Sequence, residues 1–254
     1  MTVPKVKTFS AKGSRFYVHP ETEESVPGVT SILNTLPKPF LKAWAAKMVA
    51  EYAVDNHDSW APLDRKAAVD LLKRAPGRYT TERADIGSEA HDAFEKIGNG
   101  EDPGDLRIEV APYVDHFRQF MADWQPEFLA QEATIWSDQY RYAGSLDAIA
   151  RIGDEIVVMD YKTTKSIYPE VGLQLSAYRY ADTIIDEYGD ETPLPEITGG
   201  AVLHVTEAGY SLVPIRCDED IFDIFVGLRT FPFEWNAEIS KTVVGKPLRV
   251  GHDA

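Results

Sequence analysis

The sequence predicts an α+β fold, in which helices flank a central mixed sheet and an N-terminal helical part contributes to the domain. Helical spacing of apolar residues dominates the chain up to Trp124, whereas short β-type runs with a helix among them follow from Phe128. Hydrophobic residues make up 44% of the 254 residues and charged residues 26%, which suffices for a sizeable core. We expect one domain over 1–254, with a hairpin and helices in 1–78 and a core in 79–235.

The first half of the chain predicts a hairpin followed by helices. The hairpin occupies 9–18, and we expect Thr30 or Ser31 to cap a short helical element at 32–33. The spacing of apolar residues then predicts four helices, at 40–54, 63–74, 79–97 and 110–124. The second of these is expected to end before Pro76-Gly77.

The second half predicts strands around one internal helix. The β-type runs give three central strands, at 128–136, 140–150 and 155–162. A helix is expected to follow from 169 to about 188, and then an acidic, proline-containing loop at 190–200. The chain is expected to close with two strands and a helix, at 201–206, 210–215 and 218–229.

The net charge of −15 limits the classes of function. Such a charge argues against a nucleic-acid coat protein or a membrane-surface protein. It does not exclude an enzyme that acts on nucleic acid, because that enzyme needs only a local basic path and metal ions. Cys217 is the only cysteine, so neither an intramolecular disulfide nor a cysteine-ligated iron–sulfur cluster can form. The sequence shows no apolar signal core and no apolar run of membrane-spanning length, and a cytoplasmic location is the expectation.

The last of the three central strands carries the first sign of a functional site. Residues 156–159 are apolar on both faces, as in a strand buried within a sheet, and the strand ends with Asp160 and Lys162 on one face. Asp147 supplies a second carboxylate at matching depth on the neighbouring strand. Two carboxylates and a lysine suit a Mg²⁺ or Mn²⁺ ion and a phosphate. The alternative is an edge-strand ion pair between Asp160 and Lys162 with no function.

Four segments, in this order, resemble the PD-(D/E)XK nuclease superfamily, in particular its branch of RecB-like and Cas-type exonuclease domains. They are residues 87–95 with a Gly-x-x-x-His-x-x-x-Glu pattern, Gly144-Ser145-Leu146-Asp147, Asp160-Tyr161-Lys162-Thr163, and Gln174-Leu175-Ser176-Ala177-Tyr178. Several Cas-type members carry four cysteines for an iron–sulfur cluster, and this chain lacks them. The resemblance is therefore closer to phage-type exonucleases without the cluster, and it implies a restriction-endonuclease-like core.

The resemblance implies a set of metal ligands. Asp147 and Asp160 would bind the ion, His91 would supply a third ligand, and the backbone carbonyl of Tyr161 a fourth. Glu132 would correspond, as a weaker match, to an acidic residue on the preceding strand, and a solvent-facing position is its alternative. Without the resemblance, a lone histidine on a helix is more often simply exposed or hydrogen-bonded.

The resemblance also implies roles around the ion. Lys162 would be the catalytic lysine. Gln174 and Tyr178 would contact the DNA or orient that lysine, and packing at the rim of the core is their alternative. Five cations lie near these segments in sequence: Arg78, Arg83, Arg141, Lys165 and Arg179. Such cations supply the local phosphate path that an acidic nuclease needs, although surface solvation explains most of them equally well.

The function that the resemblance implies is that of a Mg²⁺- or Mn²⁺-dependent deoxyribonuclease, expected to be an exonuclease in recombination, repair or phage DNA metabolism. Its partners would be single- or double-stranded DNA and a recombination protein, in the cytoplasm of a bacterial or phage-infected host cell. Two alternatives stay open: a non-catalytic DNA-binding or complex-assembly module of the same fold, and a phosphodiesterase acting on RNA or nucleotides. Polarity, endonuclease against exonuclease action, and the oligomeric state are not predicted.

Overall fold

The computed structural model describes residues 6–186, 188–234 and 243. Its centre is a five-stranded mixed sheet with helices packed on both faces, so the predicted α+β architecture is confirmed. The end of the predicted core, at residue 235, lies outside the described residues. Within the described ranges, no helix combines the length and the apolar character needed to cross a membrane.

The elements are numbered in chain order. The helices are α1 Val29–Leu33, α2 Phe40–Asp55, α3 His57–Trp60, α4 Arg65–Lys73, α5 Ala75–Gly98, α6 Ala111–Trp124, α7 Val171–Arg179 and α8 Glu219–Glu234. The first strands are β1 Thr8–Ala11, β2 Ser14–Val18, β3 Ser25–Pro27, β4 Glu127–Gln131, β5 Thr134–Ser137 and β6 Tyr142–Ser145. The later strands are β7 Ala148–Ile152, β8 Glu155–Lys162, β9 Thr183–Ile185, β10 Glu191–Pro193, β11 Gly199–Thr206 and β12 Gly209–Ile215.

The central sheet has the strand order β12-β11-β8-β7-β4. Strand β8 pairs in parallel with β11 and antiparallel with β7, so it has a hydrogen-bonded neighbour on each side. This position explains why its residues are apolar on both faces. The bounds predicted for β8 are confirmed.

Helices cover the two faces of this sheet. On one face, the rings of Phe94 on α5 and Phe117 on α6 stack 4.4 Å apart, and the ring of Tyr161 on β8 packs edge-on against both. On the other face, Leu175 of α7 and Phe225 of α8 share a core with Val158 of β8. Since side chains alternate along a strand, this packing directs Asp160 and Lys162 away from Tyr161, towards the α7 side.

Two of the predicted central strands are each divided into two shorter strands, and the two breaks lie opposite each other. The run at 128–136 divides into β4 and β5 at Glu132, and the run at 140–150 begins only at Tyr142 and divides into β6 and β7 before Ala148. The halves before and after the break belong to different sheets, because β5 and β6 join a four-stranded sheet of order β10-β9-β5-β6. The prediction of continuous strands here is wrong, because the hairpin bends out of the central sheet.

The predicted helix at 169–188 is also wrong in its second half. Helix α7 ends at Arg179, and Thr183–Ile185 forms β9 instead, which pairs with β5 and β10. These three residues are β-branched, and the edge of the four-stranded sheet offers them hydrogen bonds that a continued helix would not. Strand β10 lies within the predicted loop at 190–200.

Two helix starts differ from their predictions. Helix α1 begins at Val29 with Gly28 at its N-cap, so neither Thr30 nor Ser31 is the cap. Helix α4 ends before Pro76-Gly77 as predicted, but α5 begins at Ala75 rather than at residue 79 and so includes this pair. Proline is tolerated in the first turn of a helix because its missing N–H group would have no intrahelical partner there.

Candidate metal centre

The bend in the central hairpin positions two carboxylates. Glu132 adopts a left-handed backbone conformation with φ of 46°, and its N–H donates to the carbonyl of Asp147 at 3.0 Å. One residue on, the N–H of Leu146 donates to the carbonyl of Ala133 at 3.0 Å, and the ordinary pairing of the two strands resumes. The bend therefore places Glu132 and Asp147 opposite each other at the end of the central sheet.

Helix α5 brings His91 to the same place. The His91 ring packs against the rings of both Phe94 and Tyr161, at centroid distances of 6.1 and 5.8 Å. Its Nδ1 lies 3.7 Å from Oδ1 of Asp147. One turn earlier, a Cβ on Gly87 would lie 3.1 Å from Oγ1 of Thr163, so the glycine allows α5 to approach the end of β8 closely.

His91, Glu132 and Asp147 form a cluster of potential metal ligands. Each offers one nitrogen or oxygen, and these three atoms lie within 4.8 Å of one another. All three side chains are partly buried, so they reach solvent without being fully hydrated. Carboxylate oxygens together with an imidazole suit Mn²⁺ well, and the carboxylates suit Mg²⁺.

Asp160 and Lys162 lie beside this cluster at the end of β8. Asp160 is only 2% exposed, and its Oδ2 lies 2.5 Å from Nζ of the partly exposed Lys162. The positive charge of Lys162 at this distance partly offsets the effect of burial on the pKa of Asp160. The ion pair is therefore not the exposed edge-strand pair of the alternative interpretation, since its carboxylate is buried.

Tyr161 contributes its backbone to the site. Its N–H donates to Oδ2 of Asp147 at 2.5 Å, which fixes the orientation of that carboxylate. In a strand, the N–H and C=O of one residue point to the same neighbouring strand. The Tyr161 carbonyl therefore faces the side on which Asp147 lies, as its predicted ligand role requires.

Burial and mutual repulsion shift the pKa values of the cluster. Burial, followed by the negative charge of Asp147, raises the pKa of Glu132 to about 8 and that of Asp160 to about 6. Burial alone would raise the pKa of Asp147, but the positive charges of His91 and Lys162 outweigh it, and the pKa is lowered. Burial would lower the pKa of His91, but the carboxylates, Asp147 first, raise it.

A divalent cation fits this set of donors. The raised pKa values of Glu132 and Asp160 reflect excess negative charge, which a cation would neutralise in place of protons. Asp160 adds a nearly buried carboxylate beside the cluster, where its Oδ2 lies 2.5 Å from Nζ of Lys162. His91, Glu132 and Asp147 would hold the ion, with Asp160 and the carbonyl of Tyr161 beside them.

The metal-free protein is expected to lose stability as the pH rises towards 8. The folded state keeps a proton on Glu132 that the unfolded chain releases near 4.5, so rising pH favours unfolding between 4.5 and about 8. Glu132→Gln has no such proton, and we expect its melting temperature at pH 8 in EDTA to exceed that of the wild type by about 5 °C. Thermal unfolding across this pH window measures the effect. Glu155→Gln, at an exposed position on β8, is the control, and equal pH slopes for wild type and Glu132→Gln would contradict the prediction.

Tyr178 and Gln174 support the loop that carries Asp147. The buried Tyr178 hydroxyl donates to the carbonyl of Ser145 at 2.8 Å, and Nε2 of Gln174 donates to the Tyr178 hydroxyl at 3.1 Å. The hydroxyl groups of Ser145 and Tyr17 also lie 3.3 Å apart. These contacts hold the backbone two residues before Asp147, so the structure supports a positioning role more directly than contact with DNA.

Gly144 is expected to tolerate no side chain. A Cβ there would lie 2.9 Å from Cε1 of Tyr178 and 3.0 Å from Cγ2 of Val29, and both neighbours are buried. Gly144→Ala should therefore destabilise the protein by about 1–3 kcal/mol, the usual cost of overpacking a core. Urea unfolding measures this change. Gly227→Ala is the matched control, because that helical glycine has nothing within 4 Å of the added Cβ and should not lose stability.

Comparison with known proteins adds no assignment. No protein-family model matches the chain, and no curated protein matches it. Among solved structures, one titled "Crystal structure of SSO0001" matches with 17% sequence identity, over 67% of this chain and 71% of that chain, at a TM-score of 0.28. At that TM-score the match carries no argument about fold or function. The interpretation of the site therefore depends on its residues and geometry.

The structure brings most of the predicted site residues to one end of the sheet. His91 and Asp147 share the ligand cluster, while Asp160 and Lys162 form the adjacent ion pair. Glu132 was only a weak match in the sequence motifs, because its place in the cluster depends on the bend. Gly87, one helical turn before His91, predicts a close approach of another segment to α5, and the structure identifies that segment as the end of β8 at Thr163.

Proposed function

We propose that the protein is a metal-dependent nuclease that hydrolyses phosphodiester bonds in DNA. The observation that carries the proposal is the convergence of His91, Glu132 and Asp147 beside a buried carboxylate that is paired with Lys162. A surface ion pair needs neither a histidine from a distant helix nor a second carboxylate from a bent hairpin. A metal site needs several such ligands from different segments at one place.

Each residue has a distinct part in this proposal. A divalent cation bound at the cluster would polarise the phosphate and lower the pKa of a bound water. Asp147 is held by the Tyr161 N–H and keeps its negative charge, so it is ready to bind the ion without first losing a proton. The ammonium of Lys162 is anchored by Asp160 and is only partly exposed, which leaves N–H donors for a phosphate oxygen or the attacking water.

The choice of DNA as substrate comes from the resemblance of the motifs. The geometry of the site is equally suited to any phosphodiester, so the substrate must be tested directly. Exonuclease action, and a role in recombination, repair or phage DNA metabolism, follow from the same resemblance and belong to the same proposal.

A time course on three DNA substrates tests the function. Purified protein with Mn²⁺ or Mg²⁺ is incubated with end-labelled linear duplex, linear single strand and covalently closed circular DNA, and EDTA is the control. We expect metal-dependent degradation of linear DNA from its ends and no cleavage of the circle. Cleavage of the circle would instead indicate an endonuclease. Cleavage of RNA alone would indicate an RNA phosphodiesterase, and no hydrolysis of any substrate would contradict the proposal.

A further inference from the structure

A solvent-open pocket of about 630 Å³ lies along the first turns of α5, where α4 ends. We call it the α4–α5 pocket. Four cations and two carboxylates are among its lining residues: Lys73, Arg74, Arg78, Arg107, Glu82 and Asp85. The chain as a whole has 41 acidic and 26 basic residues. A pocket lined by more cations than carboxylates therefore differs from the acidic composition of the rest of the chain. Clustered cations of this kind form the electrostatic footprint of a polyanion site.

Two of these arginines have no carboxylate partner among the residues that the structure describes. Arg74 is exposed, and neither Arg74 nor Arg78 forms an ion pair with a residue that the structure describes. The guanidinium of Arg78 lies 4.3 Å from the centroid of the Tyr52 ring, and its Nη2 donates to the carbonyl of Leu71 at 3.4 Å. These contacts hold Arg78 in place without neutralising its charge.

The other cations are engaged to different degrees. Lys73 pairs with Asp70 at 3.0 Å, but both side chains are exposed, and such a pair is weak enough for a phosphate to compete. Arg107 is bound to Glu89 through its guanidinium and its backbone N–H. Arg83, the other arginine that precedes His91 on α5, lies 3.8 Å from Glu207 and is not a lining residue. The cations available to a phosphate are therefore Arg74, Arg78 and Lys73, and the carboxylates of Glu82 and Asp85 line the same pocket.

We propose that the α4–α5 pocket binds phosphate groups of the nucleic-acid backbone, at a distance from the metal centre. The identity of this ligand rests on the proposed function. Guanidinium groups bind phosphate through paired hydrogen bonds, which makes two unpaired arginines suitable partners. Arg78 precedes His91 by thirteen residues on the same helix, a separation of about 20 Å along its axis. A small ester bound at the metal centre cannot reach the pocket, whereas an oligonucleotide can.

Charge reversal at Arg74 tests the proposal. Among the described residues, the Arg74 side chain forms no hydrogen bond or ion pair that Arg74→Glu would break, and the contacts of Arg78 do not involve Arg74. The readout is the fluorescence anisotropy of a labelled oligonucleotide that is long enough to span both sites, in EDTA so that no hydrolysis occurs. We expect binding about tenfold weaker than in wild type and a salt slope that is smaller by about one ion. Arg118→Glu on α6 is the matched control, because that exposed arginine pairs with Asp115 and the change in charge is the same.

Two further measurements separate the possible outcomes. Equal oligonucleotide affinities for Arg74→Glu and Arg118→Glu would overturn the proposal. Calorimetry with tripolyphosphate tests a free polyphosphate as the ligand. If Arg74→Glu loses tripolyphosphate binding but keeps its affinity for the oligonucleotide, the proposal of a nucleic-acid ligand is also overturned. Hydrolysis of bis(p-nitrophenyl) phosphate by the wild type with Mn²⁺ tests the proposed function separately. Failure of that hydrolysis would contradict the function, whereas the comparison of the two arginine variants would still decide the pocket.

Discussion

Lys162→Met is expected to lower the rate of DNA hydrolysis by about 100- to 1,000-fold, the usual loss when one donor to a developing negative charge is removed. Lys162 is not one of the cluster's metal ligands, and its ammonium is positioned 2.5 Å from Oδ2 of Asp160. Methionine keeps most of the side-chain volume and removes the charge. The loss should therefore appear in kcat, with the fold intact.

The measurement for Lys162→Met combines single-turnover DNA cleavage with Mn²⁺ calorimetry. Lys162 lowers the pKa of Asp160, so its loss should raise that pKa and weaken Mn²⁺ binding moderately, by less than the loss of rate. Lys47→Met is the control, because it removes the same charge from an exposed lysine on α2 that is not among the cations of the predicted phosphate path. Full activity in Lys162→Met would exclude Lys162 from the mechanism, and a loss explained wholly by absent Mn²⁺ would leave it only a role in positioning Asp160.

The parts of the structure that the sequence predicted are those decided by local pattern. The bounds of strand β8 were predicted correctly because a short run of residues that are apolar on both faces is typical of a strand in the interior of a sheet. The alternation of side chains then placed Asp160 and Lys162 on one face without knowledge of the fold. Helix α6 was predicted to within one residue for a similar reason, since its apolar stripe and the left-handed Gln125 at its end are local.

The parts that the sequence did not predict depend on pairing between distant segments. Nothing local distinguishes Glu132 from a residue in an unbroken strand, because the bend arises where the hairpin leaves one sheet for another. The change from helix to strand after Arg179 likewise needs the free edge of β5. Sequence reasoning therefore predicted His91, Asp147 and the residues on β8, whereas Glu132 was only a weak match until the structure placed it in the ligand cluster.

Asp147→Asn is expected to abolish both Mn²⁺ binding and hydrolysis. Asp147 contacts both β8 and α5. One of its carboxylate oxygens accepts a hydrogen bond from the Tyr161 N–H, and the other lies 3.7 Å from Nδ1 of His91. Its charge also raises the pKa of both Glu132 and Asp160. The asparagine oxygen can still accept the hydrogen bond from Tyr161, so the fold should persist while the negative charge that the ion requires is lost.

Stabilisation by the ion gives a direct measurement for Asp147→Asn. Mn²⁺ at a hundredfold excess over its Kd should stabilise the wild type by about 2.7 kcal/mol, which corresponds to a rise of about 5–10 °C in melting temperature. We expect no such rise in Asp147→Asn, and the full rise in Asp154→Asn, which removes the same charge from the exposed turn between β7 and β8. A full rise in Asp147→Asn would place the ion elsewhere. If Asp147→Asn loses both the Mn²⁺-dependent rise in melting temperature and the hydrolysis of DNA, both properties depend on the Asp147 carboxylate. A purely structural role for Asp147 would instead lower the melting temperature and leave its dependence on Mn²⁺ unchanged.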